Sequence, residues 1–159
     1  MTTHHAHGPG WARGRSAAGG LAARFALALV GAGLSIVGAF LPWTDGVAGT
    51  RLDVRSFWVA HAGRAEAFVA SAGAVAIAIG LVAIVGLATR GGGLTRLAGA
   101  LGIVAFAVFA IQRFRGEGQL PEAIGLGAWL LLLGSLVALV GGFVGGSPRL
   151  ADAPDHSHG

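Results

Sequence analysis

The chain has 159 residues, of which 54% are hydrophobic and 11% charged, with a mean hydropathy of +0.72. A soluble domain draws about a quarter of its residues from Asp, Glu, Lys and Arg, so this composition excludes one and calls for a lipid environment. The net charge of +4 comes from Arg alone, scattered at the ends of apolar runs; a nucleic-acid surface gathers its cations into a stripe, and no nucleic-acid partner is expected.

In chain order, residues 1–20 carry His4, His5 and His7 with Pro9 and paired glycines, have no apolar period and read as a mobile tail. Four charge-free apolar stretches follow, at 25–44, 67–89, 97–112 and 123–148. A helix crosses the hydrocarbon core with about 20 apolar residues. The expected fold is therefore all-α: an integral membrane bundle of four transmembrane helices at about 21–42, 65–89, 97–114 and 122–144. Residues 147–159 read as a second mobile tail.

Arg13, Arg15 and Arg24 before the first run imitate a signal sequence. The run exceeds the usual apolar core of about 7–15 residues and no small-x-small cleavage site follows closely, so it reads as a retained first span. It ends at Pro42-Trp43, where proline stops the hydrogen-bond ladder and an indole suits the headgroup level. Trp43, Trp58 and Trp129 are expected as interface anchors. In the long connector that follows, Arg51, Asp53 and Arg55 alternate with Leu52 and Val54, a period of two that predicts a short extended segment on the membrane surface.

Arg90 to Arg96 make a Gly-rich turn between the second and third spans. No Lys-Ser or Lys-Thr follows and no strand precedes it, as a phosphate cradle would require. The third span is short, but 18 residues cover about 27 Å, with Arg96 and Arg113 able to snorkel. Pro121 and Glu122 suit the first turn of the fourth helix, and the run Gly145 to Pro148 stops it.

The N-terminal side carries Arg13, Arg15, Arg24, Arg90, Arg96 and Arg149. The opposite loops carry Arg51, Arg55, Arg64, Arg113 and Arg115, balanced by acidic residues that include Asp45, Asp53 and Glu66. The basic flank of the first span therefore predicts cytoplasmic termini in a multi-pass protein of the plasma (inner) membrane.

Small residues recur at helical spacing: Ala72, Ala76 and Gly80 in the second span, and Gly134, Ala138 and Gly142 in the fourth. Such faces let helix backbones approach in lipid, either within one bundle or between protomers. The outward loop holds Asp45, Asp53, His61 and Glu66, which could serve hydrolysis only in a preorganised, partly dry site; a connector of this length reads instead as a solvated surface. His4, His5, His7, His156 and His158 are weak candidates for a metal, since they lie on tails without Cys or regular ligand spacing. No cofactor and no enzymatic activity are expected.

The run Gly38-Ala39-Phe40-Leu41-Pro42-Trp43, the outward loop and Gly127-Ala128-Trp129-Leu130 resemble small actinobacterial four-span membrane proteins of unknown function. The topology is also similar to that of claudins, but the loop cysteines and Trp-Gly-Leu-Trp pattern of that family are missing. The resulting expectation is a structural or accessory membrane component that assembles with itself or with another envelope protein. The alternative is an oligomeric channel or transporter for a neutral or apolar solute.

Overall fold

The computed structural model describes residues 11–59, 63–89, 92–117 and 124–144. Four helices dominate them: α1 Trp11–Phe40, α2 Ala72–Ala88, α3 Gly93–Glu117 and α4 Leu126–Phe143. Three contain stretches long and apolar enough to cross a membrane, Gly19–Phe40, Gly93–Arg115 and Leu126–Phe143; α2 is a shorter apolar helix of 17 residues. The expected helices are thus present, with boundaries that differ for local reasons.

The first helix begins at Trp11, inside the segment read as a tail. The second begins at Ala72 rather than near 65, because Ser71 caps it. Its hydroxyl accepts the Ala74 N–H at 3.1 Å and donates to the Phe68 carbonyl at 2.6 Å, which joins the helix to a preceding 3-10 turn, Phe68–Ala70. Helix α3 starts four residues early, after Gly92, whose φ of +64° is open to glycine. Helix α4 starts at Leu126 behind Gly125 rather than near 122; Pro121, Glu122 and the stop at 145–148 lie outside the described residues.

The extended segment expected at 51–55 is replaced by a different device. A hairpin, β1 Pro42–Thr44 and β2 Val47–Ala48, closes through Asp45-Gly46, whose φ angles of 42° and 73° are the paired positive values of a type I′ turn. Pro42 pairs with Ala48 and Thr44 with Val47, leaving Trp43 as the extra residue of a bulge, an arrangement that re-aims side chains. Further along, Leu52 and Asp53 make only single bridges, to Arg64 and Ser71, between the 3-10 turns Gly49–Arg51 and Val54–Phe57.

Helix α1 packs on α2 and α4, and α3 packs on the same two. The contacts run antiparallel: Gly31 meets Gly134 where Gly38 meets Gly127, and Gly99 meets Ser135 where Gly142 meets Arg96. The result is an up-down-up-down bundle. Its buried positions repeat every three or four residues, as in Ala72, Ala76, Ile79, Ala83 and Gly86 of α2. That is the period of a left-handed supercoil.

Candidate functional site

The end of the bundle where α1 and α3 finish and α2 and α4 begin carries most of the described residues that lie outside the four helices. Here the loop folds inward. Trp43, Leu52 and Phe57 of the loop form one buried cluster with Ala39 of α1, Ala72 and Ala76 of α2, Phe109 of α3, and Ala128 and Leu131 of α4. Trp43 stacks edge-on against Phe109 at 5.2 Å and Phe57 at 6.2 Å between ring centroids. Phe57 and Phe109 also meet at 6.4 Å, so the three rings close on one another. Edge-to-face rings gain about 0.5–1.5 kcal/mol per pair beyond their buried area.

This placement corrects the role expected for Trp43. Its ring is fully buried, and its Nε1 donates to the Gly38 carbonyl at 2.9 Å. A carbonyl in the last turn of α1 replaces the headgroup as the partner of the indole N–H. Gly49 and Gly127 leave the space: a Cβ at either would lie 2.6 Å from an indole atom. The Trp43 carbonyl in turn accepts the Gly125 N–H at 2.6 Å, tying the hairpin to the start of α4. Trp58 and Trp129 are 60% and 40% exposed, and Trp129 packs beside Phe106 with centroids 5.1 Å apart.

Next to the aromatic cluster, Arg113 of α3 is buried. It donates to the Thr44 hydroxyl and lies 3.4 Å from the Asp45 carboxylate, so one guanidinium holds both the last residue of β1 and the turn. Asp53 is used locally; its carboxylate accepts the Arg55 N–H at 2.8 Å as the cap of a 3-10 turn. Glu66 is exposed, and His61 lies outside the described residues.

At the opposite end two more arginines act on helix termini. Arg24 of α1, buried, donates to the Thr89 carbonyl that follows α2, at 2.8 Å. Arg96 of α3 donates from Nε to the Gly142 carbonyl in the last turn of α4, at 2.7 Å, and its guanidinium lies 4.4 Å above the Phe143 ring. The last carbonyls of a helix have no partner within it and carry the negative end of its dipole, so a cation there satisfies both needs. The apolar windows of α1 and α3 therefore include Arg24, Arg96 and Arg113, which a reading of charge-free stretches had left at their margins.

The six small residues expected to form contact seams are all buried. Gly80 faces Ala32 and Ile36 of α1, Gly134 and Ala138 face Gly31 of α1, and Gly142 faces Arg96 of α3. Their contacts lie within one chain. The tail histidines His4, His5, His7, His156 and His158 lie outside the described residues. Among the described residues, no group of three or more His, Cys, Asp or Glu could hold a metal.

Two hydroxyls follow the same pattern, while those of Ser56, Thr95 and Ser135 are buried without a hydrogen-bond partner. Ser35 donates to the Gly31 carbonyl at 3.0 Å and Thr89 to the Gly86 carbonyl at 2.7 Å, the back-bonding that serine and threonine make inside apolar helices. The arrangement can seal one end of the bundle, tie helix ends together and hold the helices in register. No protein family matches the chain, and no curated protein or solved structure is similar to it.

Proposed function

We propose that the chain is a non-enzymatic, four-span protein of the plasma (inner) membrane that serves as a structural or accessory component, with both termini in the cytoplasm. The observation that carries this reading is where the polar side chains are spent. Arg24, Arg96, Ser35 and Thr89 donate to backbone carbonyls of the bundle, and Arg113 holds the hairpin that closes its end. These groups bind the protein to itself.

The exterior, by contrast, is apolar along every helix: Leu29 and Val37 on α1, Leu81 and Val85 on α2, Leu101 and Val104 on α3, and Leu133 and Val140 on α4 are all exposed. In water such a surface would aggregate, whereas in lipid it is solvated. Helix α2, short as it is, packs against both α1 and α3, which supports counting it as a fourth span. With the small-residue seams engaged inside the chain, recognition of a membrane partner falls to this apolar exterior and to the capped end.

Purification of the full-length protein from its native membrane in mild detergent tests the proposal. A stoichiometric second membrane protein supports it. A homo-oligomer that passes a neutral solute in liposomes would replace it by a channel.

A further inference from the structure

We infer that the 3-10 turn Phe68–Ala70 is a lipid-contact collar that completes the short second span, with Phe68 and Val69 among the acyl chains at the outer edge of the bilayer. The inference rests on the membrane-spanning reading above and adds the location of one hydrocarbon boundary.

Length comes first. The 17 residues of α2 cover only about 26 Å at the helical rise, short of the hydrocarbon core of about 30 Å. Three residues of 3-10 turn add about 6 Å at their steeper rise, which makes up the difference. A deficit of this kind otherwise thins the bilayer or tilts the helix.

Exposure comes second. Val69 is 83% and Phe68 53% exposed, large apolar side chains that neither the loop nor the bundle covers. They sit at the same end of the bundle as exposed Phe40 of α1, Phe114 of α3, and Leu126 and Trp129 of α4. Phe68 and Val69 thus supply the share of α2 in one apolar belt.

Backbone chemistry is the third point. A chain at the edge of hydrocarbon gains by satisfying its own peptide groups, and this turn does so for two N–H groups. In the turn, Ala70 N–H bonds to the Ala67 carbonyl and Ser71 N–H to that of Phe68, each at 3.0 Å, and the Ser71 hydroxyl shares the Phe68 carbonyl. Immediately upstream, exposed Arg64 and Glu66 mark the return to water.

The test uses the chain's lack of cysteine. Nitroxide labels are placed singly at Val69→Cys, Phe68→Cys, Leu81→Cys and Gly63→Cys in the full-length protein, in phosphatidylcholine–phosphatidylglycerol vesicles. Collisions with oxygen, which partitions into lipid, are compared with those with a water-soluble nickel chelate. Leu81 is exposed on α2 and reports lipid; Gly63 is exposed, with open space around it, and reports water. The expected result is an oxygen-to-chelate ratio at Val69 and Phe68 that follows Leu81 and stands well above Gly63. Ratios at both positions matching Gly63 while Leu81 remains in lipid would overturn the collar and leave the span intact. A chelate-accessible Leu81 would overturn the span itself, and the collar with it.

Discussion

Gly31 and Gly134 face each other so closely that a Cβ on Gly31 would lie 2.6 Å from the Gly134 carbonyl oxygen, and one on Gly134 would lie 2.5 Å from that of Gly31. The relationship repeats seven residues along each helix. A Cβ on Gly38 would meet the Gly127 carbonyl at 2.7 Å, and one on Gly127 the Gly38 carbonyl at 2.5 Å. Two contacts seven residues apart hold α1 and α4 at backbone distance over two turns, the spacing of the 3.5-residue period of a left-handed helix pair. Since lipid supplies no hydrophobic drive for helix association, this close packing is a main source of cohesion.

Gly31→Ala and Gly134→Ala should each destabilise the bundle by about 1–3 kcal/mol, the usual cost of overpacking a filled interface. Gly33→Ala is the matched control: it lies on the same helix, exposed and with no neighbour within reach of a Cβ, and should be neutral or gain up to about 1 kcal/mol from helix propensity. Thermal unfolding in detergent reads all three. Equal melting of the Gly31 and Gly33 variants would place α1 and α4 apart.

Trp43 is the keystone of the capped end, and its removal should cost more than any seam substitution. Trp43→Ala deletes a fully buried indole and is expected to lose about 3–5 kcal/mol. Trp43→Phe keeps an aromatic ring against Phe57 and Phe109 but loses the bond to Gly38, so it should melt between the wild type and the alanine variant. Near-ultraviolet circular dichroism, dominated by indoles in rigid surroundings, should weaken in both variants while the far-ultraviolet helix signal persists. An unchanged near-ultraviolet spectrum in Trp43→Phe would place the indole outside the packed cluster.

The helices were legible because apolar runs of this length have few alternatives. The cap was harder to read, although one signal was present: Asp45-Gly46 between apolar flanks is a strong local sign of a hairpin. It was masked by the neighbouring Pro42-Trp43, which fits a headgroup anchor equally well. Whether a tryptophan faces lipid or the interior depends on what the following 30 residues do, and no local pattern encodes that. The start of α2 shows the same limit. Apolar character continues through Phe68 and Val69, but Ser71 divides it into a turn and a helix by hydrogen bonds that hydropathy does not register. The small residues of α4 were visible at four-residue spacing. The seven-residue rows of Gly127, Gly134 and Gly141 toward α1, and of Ser135 and Gly142 toward α3, emerge only once the partners of each face are known. Arg24 and Arg113 looked like flanking charges because sequence places them at the margins of apolar runs, whereas long side chains reach carbonyls and hydroxyls many residues away.

Arg113 should be more important than the carboxylate it faces. The Asp45 side chain is largely exposed and 3.4 Å away, so screening by water limits the ion pair, and Asp45→Asn should cost less than about 1 kcal/mol. Asparagine also tolerates the positive φ of this turn position. Arg113→Ala removes the donor to Thr44, whose hydroxyl keeps only its own bond to the Asp45 carboxylate, with an expected loss of about 1–3 kcal/mol. Thermal unfolding and amide exchange at Thr44 and Val47 separate the two. Greater damage from Asp45→Asn than from Arg113→Ala would mean that the carboxylate, rather than Thr44, anchors the guanidinium.

The orientation can be read with single cysteines at two glycines that have room for a side chain. Gly63 lies in the loop between α1 and α2, and Gly93 in the turn that opens α3; both are exposed, with no heavy atom near the position of a Cβ. Gly49 lies in the same loop but is unsuitable, since a Cβ there would meet the Trp43 Nε1 at 2.6 Å and disturb the cap. If the basic flank of the first span holds the termini in the cytoplasm, Gly63→Cys should react with an impermeant thiol reagent in intact cells and Gly93→Cys only after permeabilisation. The reverse pattern would place the termini outside. Reaction at both positions in intact cells would put the two ends of α2 on one side, and a helix with both ends on one side does not span.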